Sequence, residues 1–183
     1  MFLEAETLRY TRLSTENFAL EARTVEFPER VYTEEDVRKA REVIEKGYKH
    51  QLIIRGNPAF KKKLNEALRL IKLVGYYDFL RTYIRQIEEI NGFSQLHEAD
   101  AAIWATMPML EDIVDAASYI VQKAQQMKDF IDGKLYYGVG EMASIEKRIE
   151  FLEKLKKQSK NTEIREKCED LLKRWADSTF MFP

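Results

Sequence analysis

Cysteine, histidine, glycine and proline are all scarce in this 183-residue chain, and each scarcity excludes something. One cysteine rules out a disulfide framework and a thiolate metal cage. Two histidines rule out any site built on three imidazoles. Seven glycines and four prolines are too few for a loop-rich or all-β domain. Charge of one sign is lacking too. Thirty basic residues against 31 acidic ones leave a net charge of -1, so no overall field draws in a polyanion. The chain as a whole is not expected to bind nucleic acid. No run approaches the length of apolar residues that a membrane-spanning helix needs, so no membrane partner is expected. The start, Met1-Phe2-Leu3-Glu4-Ala5-Glu6, carries acids where a signal peptide carries Lys or Arg, and neither end has a lipidation motif. A cytoplasmic protein with a reduced Cys168 is expected.

What remains is a globular composition, 45% hydrophobic and 33% charged, organised mostly at helical spacing. The expected fold is mainly α: a single-domain bundle of about seven helices with a short N-terminal β or extended element. Residues 1–32 are expected to form an N-terminal extended arm packed on the core, because Phe18, Leu20, Ala22 and Thr24 alternate with their neighbours and Pro28 disfavours a central strand. Residues 33–183 form the helical domain. Thr33 followed by Glu34, Glu35 and Asp36 reads as a cap with acids in the first helical turn. Gln51 to Arg55 is a short β-branched run that suits a short strand pairing with the N-terminal arm, and it is closed by Gly56-Asn57-Pro58, which suits a helix start. Phe60, Leu64, Leu68 and Ile71 predict the following helix. Leu80, Tyr83, Ile84 and Ile87 predict another, ending at Asn91-Gly92; Leu96, Ala99, Ile103 and Met107 predict a shorter one opened by Ser94. Pro108 sits either at a kink or at the first turn of a long helix carrying Ile113, Ala117, Ile120, Ala124, Met127 and Ile131. Ile145, Ile149, Leu152 and Leu155 mark the next helix, and Ile164, Cys168, Leu171 and Trp175 the last. Their short connection predicts an antiparallel hairpin.

Three groups of residues carry chemistry. His97, Glu98 and Asp100 place an imidazole and carboxylates close together, and Asp115 from the following helix could complete a divalent metal site. The spelling His97-Glu98 invites comparison with H-E-x-x-H, where two imidazoles one helical turn apart grip zinc and the Glu acts as base. Here the last position is Ala101, so the pattern is broken at a ligand. The run from Ile53 to Ile71, a strand, a glycine turn and a helix, is loosely similar to how zincin-like domains begin, and no residue is carried across on that likeness. The second group is a basic patch, Arg55, Lys61, Lys62, Lys63, Arg69 and Lys72. The third is apolar: Tyr136 and Tyr137 in the Gly-rich loop, and the tail Phe180, Met181 and Phe182, which suit an interaction surface.

Charge is segregated along the chain: residues 47–95 carry net +5 and residues 96–144 net -5. No P-loop, dinucleotide fingerprint or nucleophile elbow is present. The expected function is therefore protein–protein contact or self-association, as a homo-oligomer or with a protein partner, with no cofactor and no catalytic centre. The alternative is a metal-dependent hydrolase, or its inactive zincin-like relative, centred on His97, Glu98 and Asp100 and using a divalent metal ion. A third reading is weak nucleic-acid binding through the Lys61–Lys72 helix.

Overall fold

The structure, a computed structural model, describes residues 26–179. The arm's alternating stretch before residue 26 and the tail Phe180, Met181 and Phe182 lie outside the described residues. Helix α1 (Glu34–Glu45) is closed at its start by a capping box. Thr33 Oγ1 accepts from Asp36 N at 3.2 Å, and Asp36 Oδ2 accepts from Thr33 N at 2.9 Å. Strand β1 (Ile53–Arg55) follows. Helix α2 (Pro58–Leu73) starts where Asn57 Oδ1 accepts from Phe60 N at 2.9 Å. Its buried stripe is Phe60, Leu64, Ala67, Leu68 and Ile71, close to the one expected.

The middle of the chain departs from expectation. Helix α3 spans only Tyr77–Tyr83. Strand β2 (Gln86–Glu89) then replaces the predicted end of that helix, and the predicted helix at Ser94 is instead β3 (Gln95–His97) and β4 (Ala102–Ala105) joined by a 3-10 turn, Glu98–Asp100. The four strands form one mixed sheet in the order β1-β2-β4-β3, parallel except for β3 against β4. Its register explains the misreading. Ile54, Ile87, Ile103 and Leu96 are successive partners in one row across the sheet. Leu96 and Ile103 are seven apart, which suits two turns of one helix equally well, yet here they face each other across a tight hairpin. Ala101 makes the turn in a left-handed conformation, φ 49°.

Pro108 neither kinks nor opens the long helix. It begins a separate 3-10 turn, Pro108–Leu110. Helix α4 (Ile113–Ile131) is capped by Asp112, which accepts from Val114 N and Asp115 N at 3.0 and 3.1 Å. Thirteen of its 19 residues are buried, so α4 is the central rod of the molecule. Helices α5 (Met142–Gln158) and α6 (Thr162–Thr179) form the expected hairpin across Ser159–Asn161. Among the described residues there are thus six α-helices and a small sheet in mid-chain, where about seven helices and an N-terminal β element were expected. One cluster of buried side chains joins all six helices to β2, β3 and β4.

Candidate functional site

Helix α4 carries polar side chains along one face. Half-exposed Asp115 and buried Ser118, Gln122 and Gln126 recur at steps of three and four, which stacks them in a ladder. The ladder meets α5, whose buried stripe includes Ser144 and Arg148 beside Phe151, Leu152 and Leu155. The predicted stripe named Ile145 and Ile149 instead; both are only half-buried. The interior requires this rotation because Arg148 bonds to three rungs. Its Nε donates to Ser118 Oγ at 2.9 Å, its Nη1 to Gln122 Oε1 at 2.8 Å and its Nη2 to Asp115 Oδ1 at 2.5 Å. The guanidinium also lies over Trp175, 5.1 Å from the ring centroid. Burial pulls the Arg148 pKa down, and Asp115 opposes that.

Above Arg148 the ladder meets the loop between α4 and α5. Gln122 Nε2 lies 3.5 Å from Ser144 Oγ. Gln126 Nε2 reaches Tyr136 O at 3.4 Å and Glu141 Oε1 at 3.5 Å, both long for hydrogen bonds. Lys123 Nζ donates to Gln126 Oε1 at 2.9 Å and sits 4.8 Å from the Tyr119 ring centroid. Burial lowers the Lys123 pKa, while Glu141 and Glu98 raise it. Tyr119 is pushed up to about 12 by burial. Tyr136 is raised as well, by burial and then by Glu98, whose Oε1 accepts from Tyr136 Oη at 2.7 Å.

The residues singled out in the sequence are distributed differently. His97 ends β3, where its ring stacks on Trp104 with centroids 4.2 Å apart. Its Nδ1 lies 3.2 Å from Asp100 Oδ2, and Asp100 also faces Arg30 at 3.5 Å. Glu98 is engaged by Tyr136 and Asp115 by Arg148. Among the described residues no three His, Cys, Asp or Glu side chains gather where they could hold a metal. Cys168, on α6, is buried in the core, and burial pushes its thiol up to about 11. Arg55, Lys61, Lys62, Arg69 and Lys72 are exposed and Lys63 half-exposed along β1 and α2. They do not form one face: Lys72 lies over Tyr77, and Arg69 lines a cleft of about 450 Å³ with Glu66, Asp112 and Lys167. Tyr137 is exposed, and Tyr136 is half-buried against Phe130.

Sequence reasoning passed over Gln122, Lys123, Gln126, Glu141 and Arg148. The signal was three glutamines within five residues, in the helix that carries the longest apolar seam. Comparison with models of protein families, with curated proteins and with solved structures finds no match to this chain.

Proposed function

We propose that the protein works by protein–protein contact and pairs with a second copy of itself, as a cytoplasmic protein without a catalytic centre. One observation carries this reading. The connection between α4 and α5 and the first residue of α5 present four large apolar side chains within eight residues: Leu135 at 50% exposure, Tyr137 at 64%, Val139 at 88% and Met142 at 52%. An apolar ridge of this kind is left in water at a cost of several kcal/mol, which a partner surface would recover.

The ridge is also held in place. Tyr136 is anchored to Glu98 and packed edge-on against Phe130, and Gly140 lies hard against the Leu135 backbone. A prearranged ridge loses little conformational entropy on docking. Pairing with a like chain suits the segregated charge, since the acidic stretch that carries the ridge has a basic counterpart of equal size in residues 47–95.

Light scattering after size-exclusion chromatography tests the reading. The full chain should elute at twice the chain mass at tens of micromolar. The variant Tyr137→Ser/Val139→Ser should elute as a monomer with an unchanged circular-dichroism spectrum. A wild-type chain that stays monomeric throughout that range overturns self-association.

A further inference from the structure

The letters His97-Glu98, which suggest a metal-hydrolase helix, fall at the end of a strand and in a 3-10 turn. The corresponding geometry lies elsewhere. In H-E-x-x-H the two imidazoles stand at i and i+4 on one helical face and the carboxylate at i+1 serves as base. A zinc site of the His2Glu type then takes its third protein ligand from a different element. Helix α4 carries Gln122, Lys123 and Gln126 at i, i+1 and i+4. Gln122 and Gln126 are 4% and 5% exposed, and both reach the same short segment at the start of α5. That segment supplies the Glu141 carboxylate, 3.5 Å from Gln126, and Ser144, whose hydroxyl donates to Glu141 O at 2.8 Å.

The geometry points to Gln122, Lys123, Gln126 and Glu141 as the frame of a mononuclear zinc-hydrolase centre in which three residues are exchanged and the Lys123 ammonium stands in for the metal's charge. The donor set does not fit zinc. Of the four side chains only Glu141 belongs to the usual zinc ligands; the amides are weak donors, and an ammonium repels a cation. The same exchange accounts for an otherwise costly arrangement. Two buried amides and a half-buried lysine serve no apolar core, yet each has a polar partner: Lys123 donates to Gln126 Oε1 at 2.9 Å, and the fields of Glu141 and Glu98 favour its charge as they would favour a cation's. In this form the centre has neither a metal-activated water nor a carboxylate base at the i+1 position. The inference does not rest on the exposed ridge or on self-association.

The test restores the side chains: Gln122→His/Lys123→Glu/Gln126→His, incubated with zinc, desalted and weighed by native mass spectrometry. The variant should retain one zinc per chain and melt at a higher temperature with zinc than without. Adding Glu141→Ala removes the third ligand and should weaken retention at least tenfold, since losing even a metal site's supporting groups costs that much. The wild-type chain should retain none. Because the triple variant brings a new carboxylate close to Glu98 and Glu141, a second one, Gln122→His/Lys123→Met/Gln126→His, keeps the ligands without that acid. A folded variant of either kind that retains no zinc overturns the inference. So does zinc on the wild-type chain, or failure of both variants to fold with zinc present, because a metal held by the native state would stabilise it.

Discussion

His50 shows how a single side chain sets a pH limit on the whole fold. It is 2% exposed, with Phe27 edge-on at 4.4 Å and Tyr48 edge-on at 5.0 Å. Among the described residues its Nε2 has no hydrogen-bond partner. Burial, and then the nearby Arg85, lower its pKa from 6.5 to about 4. The neutral ring is therefore the native form. A group whose folded pKa is depressed lends stability above the unfolded value and loses it as pH falls towards the folded one. The contribution is complete above pH 6.5 and disappears on approach to pH 4. A shift of this size corresponds to about 3 kcal/mol. Denaturant titrations from pH 7 to 4 should show that loss in the wild-type chain and a flatter profile in His50→Phe. Equal slopes for the two proteins would remove His50 as the cause.

The connection between α4 and α5 behaves as an element in its own right. Tyr136 fixes one end of it through Glu98, and Glu141 and Ser144 fix the other through Gln126 and Gln122. Gly140 is what allows it to close. A Cβ there would lie 2.2 Å from the Leu135 carbonyl oxygen, a backbone atom that cannot swing aside. Gly140→Ala should therefore open the loop and displace the ridge. The expected cost is about 1–3 kcal/mol, within the range of overpacked sites. The readouts are a lower melting temperature and weaker self-association in sedimentation equilibrium. A variant that melts and associates like wild type would show that the ridge tolerates a different path.

At the scale of the whole molecule, one buried cluster runs through every helix and most of the sheet, with α4 at its centre. Such a core should unfold as a unit. Leu64 is fully buried on α2, and trimming it to Ala should cost about 2–5 kcal/mol. If the core is single, Leu64→Ala shifts the melt seen by tryptophan fluorescence and the melt seen by far-UV circular dichroism equally. Non-coincident melts would instead divide the chain into separate folding units.

What the sequence by itself determined is local. The Thr33 and Asn57 caps, the α2 stripe, the close of α4 at Asp132-Gly133 and the α5–α6 hairpin all follow from residues within a few turns of one another. Capping, propensity and periodicity act at that range, so they can be read without a partner. Of the sheet, only β1 was legible, in the β-branched run before Gly56; the other three strands were not. A row such as Ile54, Ile87, Ile103 and Leu96 exists only once the strands pair, and the same apolar spacing serves a helix equally well. The candidate site lay hidden for the same reason. Gln122 and Gln126 read as ordinary helix residues until α5 and the residue before it press Arg148, Ser144 and Glu141 against them. Only tertiary packing decides which polar groups leave water, and burial is what turns an unremarked amide or ammonium into a costly, position-specific choice.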